Sequence, residues 1–409
     1  MAATVNNATP NDATENSAAV NEWNKKVTMY VEGPAQSWAR TIEQKKQVPT
    51  EVWQDLNDRG FLRLTAPAGY GGFGLTFTDY LKLLERFAHM HGSMRVIVHV
   101  MNSLWRALDS KADDAQRQKF VLPFIQGQHR VTFTLTEPNS GSGADMKTTA
   151  RRDGDDYVLN GEKWMIIFSD VADYFLLFCR LEGTSGTEGT MALLVPRNAP
   201  GLDIEMMPAA MGITGTGHGH LRLRDCRVPV SHRLGSEGDG LEVAFRGFLD
   251  PSRTAIGMTC VGAAGRSLQL ATQHAIGRTT FGKPLVKRQT IQMWLAEMAT
   301  DIEAARRLCL HAAECFDNGE SITTEAAMAK LFGTEMLQRV TDKALQIHGG
   351  IGYFTSSEIE RIYRDARMQR FEEGTSEIQK MVIARDVVST AMQEKAAQTE
   401  AAQTEGSER

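Results

Sequence analysis

The spacing of apolar residues changes period twice along the chain, and this limits the fold more than any other feature. Residues from about 21 to 130 run in helical spacing with turn punctuation; within Tyr80 to Met90, Leu81, Leu83, Leu84 and Phe87 are apolar. From Val131 the pattern becomes strand-like. Val131-Thr-Phe-Thr-Leu-Thr136 alternates, and Tyr174 to Phe178 and Met191 to Val195 read as short buried strands. Tyr157 to Met165 reads as a hairpin whose Asn160-Gly161 supplies a type I′ turn. After Gly240 helical spacing returns: Ile291, Leu295, Met298, Ile302, Ala305 and Cys309 make one amphipathic stripe. Thr323-Thr324-Glu325-Ala326-Ala327 opens another helix, which Gly349-Gly350 stops. Helices, then a β block, then helices predict an α+β protein and argue against a doubly wound sheet.

A chain of 409 residues exceeds what one hydrophobic core usually serves, so several packed domains are expected. The boundaries fall at residues 21–130, 131–241 and 242–392. Residues 1–20 and 393–409, the latter with a duplicated Ala-Ala-Gln-Thr-Glu, read as disordered tails. The net charge of −5 leaves no footprint for nucleic acid or an anionic membrane. No apolar run is long enough to span a bilayer and no targeting signal is visible. The five scattered cysteines lack any CxxC pair, which points to a reducing, cytoplasmic setting. Gly69-Tyr70-Gly71-Gly72-Phe73-Gly74 lacks the flanking strand, helix and Lys-Ser/Thr of a phosphate cradle and reads as a loop. Gly217-His218-Gly219-His220 reads as a β-domain turn; two histidines without carboxylate or cysteine companions make a poor metal site, and no metal is expected.

Five motifs follow one another along this texture. They are Thr136-Glu137-Pro138-Asn139-Ser140-Gly141-Ser142-Gly143-Ala144-Asp145, then Asn160-Gly161-Glu162-Lys163, then Arg278-Thr-Thr-Phe281-Gly282-Lys283. Gln346-Ile-His-Gly349-Gly350 and Glu373-Gly374-Thr375-Ser376-Glu377-Ile378-Gln379 complete the series. In this order and spacing the chain resembles the acyl-CoA dehydrogenase family over about residues 25–390. The resemblance implies an N-terminal helical domain, a middle β-barrel-like domain and a C-terminal four-helix bundle. It also implies FAD as cofactor, an acyl-CoA or other acyl thioester as substrate, an electron-transferring flavoprotein as acceptor, and a homotetramer.

By the same resemblance, Glu373 removes the α-proton while flavin N5 takes the β-hydride. The thioester carbonyl would lie against the Glu373 backbone N–H and a ribityl hydroxyl. A carboxylate in an apolar cavity is expected to have a raised pKa, which suits a base acting on a carbon acid. Relatives that place their base before the first bundle arginine have no counterpart here, because that position is Ser252 in Leu249-Asp250-Pro251-Ser252-Arg253. For FAD the matching positions are Phe133, Leu135, Thr136, Gly141 and Ser142, with Met165 and Ile167 on the flavin wall. Thr375 and Glu377 add to these, and from a partner subunit come Arg278, Thr280, Phe281, Gln289, Gln346, Gly349 and Gly350. For CoA they are Ser142, Asp250, Arg253 and Gly374.

Three features depart from the family pattern. Lys163-Trp164-Met165-Ile166-Ile167-Phe168 stands where relatives carry Trp-Ile-Thr-Asn, so on direct register Met165 replaces the tryptophan and Ile167 the threonine. Trp164 then falls on the opposite face unless a bulge restores it. Glu372 replaces an aromatic residue beside the base and would face solvent, a cation or the acyl pocket. His91, Arg95 and His99, one helical turn apart, form either a solvated basic edge or an inward stripe that favours a polar or anionic acyl group. The arginine of the glutaryl-CoA branch has only His91 or Gly92 at its position, so no dicarboxylate is read. Two alternatives remain at this level: an oxygen-using acyl-CoA oxidase or other flavoenzyme on the same fold, and a catalytically silent scaffold.

Overall fold

The structure is a computed structural model that describes residues 10–141, 143 and 145–407, with side chains from 20 to 398. Ser142 therefore lies outside the described residues. The N-terminal helices are α1 (Pro10–Glu32), α2 (Pro34–Lys45), α3 (Thr50–Asp58), α4 (Phe77–Phe87), α5 (Gly92–Asp109), α6 (Asp114–Gln116) and α7 (Leu122–Ile125). Side-chain caps set three of their starts: Asp79 N donates to Thr76 Oγ1 at 3.1 Å, Ser93 N to the His91 ring at 3.2 Å, and Gln116 N to Asp113 Oδ1 at 2.8 Å.

The middle strands are β1 (Val131–Thr134), β2 (Thr149–Asp153), β3 (Asp156–Ile167), β4 (Tyr174–Leu181), β5 (Thr190–Pro196), β6 (Leu202–Met206), β7 (His218–Pro229) and β8 (Arg233–Leu234). They pair in the order β6-β7-β3-β2-β4-β5-β8, with β1 beside β4 in parallel. β4 is buried on both faces. Phe175, Leu177 and Cys179 enter a core inside the β domain, while Leu176 and Phe178 join the core shared with the helices. This double burial docks the sheet on the helical domains.

The C-terminal part runs α8 (Gly240–Ala244), α9 (Asp250–Gly277), the short hairpin β9 (Thr279–Thr280) and β10 (Lys283–Pro284), α10 (Gln289–Asp317), α11 (Thr323–His348), α12 (Glu358–Met368) and α13 (Ser376–Ser407). Helices α9, α10, α11 and α13 make the bundle. The stripe on α10 turns inward, with Ile291, Met298, Ile302, Ala305 and Cys309 buried and Leu295 half-buried. Helix α9 is enclosed on every side from Asp250 to Ala264. Glycine makes this possible: a Cβ on Gly262 would stand 2.0 Å from the Glu85 carbonyl oxygen, and one on Gly257 2.9 Å from that of Ala329.

Three sequence expectations change. Asn160-Gly161 is not a hairpin turn, because β3 runs straight through it and the turn falls at Gly154 instead. Asn160 bonds Asp225 across a bulge in β7, and Gly161 lets the chain pass Thr148, whose Cα a Cβ would meet at 2.6 Å. His218 to His220 lie in strand β7, not in a turn. The backbone expected as tails is helical over 10–20 and 393–407, in keeping with the alanine, glutamate and glutamine content of the latter.

A buried ion pair joins the first two motifs. Lys163 Nζ donates to Glu137 Oε1 and to the Leu135 carbonyl, both at 2.9 Å, and Glu137 also accepts the backbone N–H groups of Lys147 and Thr148. The pair ties β3 to the chain leaving β1. Lys163→Met leaves the Glu137 charge buried without its cation and is expected to cost about 3–5 kcal/mol in urea denaturation. A loss below about 1 kcal/mol would show that the pair is not under this constraint.

Candidate active site

Glu373 and Gly374 occupy the turn between α12 and α13 with φ of 53° and 96°. A non-glycine residue in the left-handed region is uncommon, and such strain persists only where surrounding contacts hold it. Here the contacts come from three helices. Arg253 Nε donates to the Glu373 carbonyl at 3.2 Å, Lys330 Nζ to the Gly374 carbonyl at 2.6 Å, and Gln379 Nε2 to both, at 3.2 and 3.0 Å. Lys330 and Gln379 are fully buried, so these contacts are shielded from water.

The Glu373 side chain points inward. Ser252 Oγ donates to its Oε1 at 2.5 Å, and Ser252 lies 2.7 Å from His99 Nε2. Burial, reinforced by the Arg95 charge, drives the His99 pKa down to about 3, so the imidazole is neutral. With Ser252 donating to the carboxylate, its oxygen accepts from a His99 Nε2–H, which fixes the tautomer. Glu373 Oε2 is sealed from solvent and has no hydrogen-bond partner. Burial raises the Glu373 pKa to about 8, aided by the Glu372 charge, while the Ser252 bond, Arg253 and Lys330 pull the other way. The expected upward shift is therefore present. One oxygen is anchored and the other is free to take a proton.

Asp250 and Arg253 lie beside this turn, paired at 3.1 Å, and Thr323 Oγ1 donates to Asp250 at 2.8 Å. Both are buried, so Arg253 already serves the Glu373 backbone. The stripe on α5 turns inward and is not a solvated edge. His91, Arg95 and His99 are all at most 3% exposed. His91 meets Glu43 at 3.0 Å, and Arg95 Nη1 lies 3.8 Å from Glu372 Oε1. Glu372 thus faces a cation.

The residues matched to FAD form two groups. Leu135 is buried and Thr136 half-buried just beyond β1, and Phe133 packs against the rings of Phe178 and Phe248 at 4.8 and 4.7 Å. Between Lys163 and Ile166 the β3–β7 register slips by one residue, and Met165 takes a φ of 56°. This bulge puts Trp164 and Ile167 on one face, contrary to direct register; Met165 is the extra residue, 51% exposed. Gly141 is exposed in the loop between β1 and β2. The second group gathers at the ends of the bundle helices: Arg278, Phe281, Gln289, Gln346, Gly349 and Gly350 are exposed and Thr280 half-buried. The His274 and His348 rings stack at 4.6 Å and hold the ends of α9 and α11 together. Thr375 and Glu377 open α13, where Glu377 is exposed and its own N–H and the Thr375 hydroxyl lower its carboxyl pKa.

This donor set fits a flavin nucleotide. It combines an apolar strand wall, a glycine-containing loop and, at the bundle end, a guanidinium and amides beside Phe281, an aromatic ring 97% exposed. Ser252 and His99 were not assigned roles from sequence. Their only signal was His99 on the α5 stripe and Ser252 before Arg253, and nothing local joins the two.

Removing the Ser252 hydroxyl takes away a bond that favours ionised Glu373. Ser252→Ala is therefore expected to move the Glu373 titration, read by substrate-bleaching rate against pH, upward by about one to two pH units. Activity should rise as pH climbs through that value, since the base works ionised. An unmoved limb would separate Ser252 from the base.

The acyl-CoA dehydrogenase N-terminal domain family matches residues 18–128, its middle domain 132–226 and its C-terminal domain 238–388. The mitochondrial short-chain specific acyl-CoA dehydrogenase of Mus musculus is 38% identical over 348 residues, which cover 85% of this chain and 84% of the relative. Subunit CarC of the caffeyl-CoA reductase-Etf complex of Acetobacterium woodii is 34% identical over 345 residues, 84% of this chain and 91% of the relative. The structure of butyryl-CoA dehydrogenase from Megasphaera elsdenii is similar with a TM-score of 0.85 and 29% identity, covering 95% of this chain and all of that one. Sequence, fold and family matches agree: the chain belongs to the acyl-CoA dehydrogenase family, FAD-dependent oxidoreductases that act on CH–CH bonds.

Proposed function

We propose that Glu373 is the base that takes the α-proton of an acyl-CoA, in a homotetrameric cytoplasmic enzyme whose electrons pass to an electron-transferring flavoprotein. The observation that carries this reading is the Glu373 carboxyl: one oxygen held by Ser252, the other sealed and unpartnered, with burial raising its affinity for a proton. Its backbone N–H, in the left-handed turn, is the group assigned to the thioester carbonyl. Lys330, Arg253 and Gln379 keep that turn in place, and the positive charges of Lys330 and Arg253 favour the enolate that proton removal creates.

Phe133, Leu135, Thr136, Gly141, Met165 and Ile167 would hold one face and the phosphates of FAD, together with Thr375 and Glu377. Trp164, brought round by the bulge, joins that wall. Arg278, Thr280, Phe281, Gln289, Gln346, Gly349 and Gly350 would reach the adenosine end across a subunit boundary. When bound, FAD supplies the acceptor for the β-hydride. Asp250, Arg253 and Gly374 would line the path of the CoA chain.

Self-association is supported by exposed apolar surface. Phe281, Tyr353 and Phe354 are 97%, 80% and 61% exposed, and a 420 Å³ cleft is lined by Leu308, Met328, Leu331, Phe332 and Ile383 together with Glu335 and Lys380. The carrier flavoprotein is supported by the Etf complex to which the Acetobacterium woodii relative belongs. No helix among the described residues is long and apolar enough to cross a membrane.

Glu373→Gln keeps the shape of the side chain and removes its basicity. Anaerobic mixing with acyl-CoA is expected to bleach the flavin of this variant about 10²- to 10⁴-fold more slowly than the parent. An equal rate would place the base elsewhere, and rapid peroxide formation by the parent in air would replace the flavoprotein acceptor with oxygen.

A further inference from the structure

Beside Glu373 is a charge pair, buried at Arg95 and half-buried at Glu372, whose hydrogen-bonding groups the proton transfer does not use. Arg95 is 3% exposed, yet Nη1 and Nη2 have no hydrogen-bond partner, and neither does Glu372 Oε1. The two residues face each other at 3.8 Å, within ion-pair range but too far for a direct hydrogen bond. A guanidinium buried in this way is costly unless an acceptor meets it.

The pair is placed by the same elements as the base. Arg95 is one turn before His99 on α5, and His99 reaches Glu373 through Ser252. Glu372 is the residue next to Glu373. Glu372 also acts electrostatically on Glu373, so a group meeting both side chains would belong to a molecule that also reaches the neighbourhood of the base.

Charge decides what that group is. With the base ionised, Arg95, Arg253 and Lys330 stand against Glu372, Asp250 and Glu373, and the cluster is neutral. A carboxylate on the acyl chain would add an uncompensated anion beside Glu372 and work against ionisation of the base. A plain alkyl chain would leave the guanidinium and carboxylate unmet. A neutral group that both accepts and donates can take a hydrogen bond from Arg95 and give one to Glu372.

We propose that Arg95 and Glu372 form a recognition site for acyl chains that carry a neutral hydrogen-bonding group, a hydroxyl or a carboxamide, beyond the β-carbon. This rests on the reading of Glu373 as the α-proton base. The pair acts as a donor–acceptor clamp, and it selects against both unsubstituted and dicarboxylic acyl groups.

The test is anaerobic flavin bleaching of the FAD-loaded enzyme with pentanoyl-CoA and its counterparts bearing a terminal hydroxyl, carboxamide or carboxylate. The hydroxyl or carboxamide substrate is expected to exceed the plain chain in kcat/KM by about tenfold, with the carboxylate below both. Arg95→Met/Glu372→Leu, which removes both charges together, should reverse the order of the polar and plain chains, and Arg95→Gln should narrow the gap. A wild-type preference for the plain or the carboxylate chain overturns the proposal without any variant, and so does a double variant that keeps the original order. If no thioester bleaches the flavin, the acyl-CoA reading itself falls and this inference with it.

Discussion

The hydroxyl of Ser252 joins the turn that carries Glu373 to the fully enclosed first half of α9. A carboxylate becomes a stronger base when water is excluded, but a buried carboxylate with no partner has no fixed position. Ser252 resolves this by binding one oxygen and leaving the other free, and His99 fixes the direction in which the serine hydroxyl points. Helix α9 is held in place. It passes α11 at Gly257 and α4 at Gly262 with no room for a further carbon atom at either point. Helix packing away from the turn therefore sets the geometry of the Glu373 carboxyl.

A second device organises the β side. The buried Glu137–Lys163 pair fixes the exit from β1 relative to β3, and immediately beyond it the bulge at Trp164 and Met165 changes the face on which the following residues appear. Without the extra residue Met165 and Ile167 would share a face. With it, Trp164 and Ile167 do, so Trp164 does not fall on the face opposite Ile167 as direct register would have it.

The buried polar groups around Glu373 differ in how fully they are met. Asp250 and Arg253 satisfy each other and bind neighbouring groups, so they are built into the structure. Arg95 and Glu372 attract each other without meeting. The first pair is tied to the turn and the second keeps unmet hydrogen-bonding groups, a distinction that burial alone does not reveal because all four side chains are largely hidden from solvent.

Much of this was legible in the chain itself. Apolar periodicity determined the helix–strand–helix order and the inward stripe of α10, because burial must follow the repeat of the local structure. The Glu373-Gly374 motif, in its place among four others, pointed to the carboxyl that the fold anchors and desolvates. Tertiary structure decided the rest. Asn160-Gly161 favours a tight turn locally, yet pairing with β7 and the close passage of Thr148 hold it in a strand. The stripe of His91, Arg95 and His99 is compatible with either face of α5, and only the partners brought by distant segments, Glu43, Glu372 and Ser252, turn it inward. The His99–Ser252–Glu373 chain spans 153 and then 121 residues, so it exists only once three helical segments have packed. Local sequence sets the period of each element, whereas the desolvation and pairing of its polar groups depend on what the fold places opposite them.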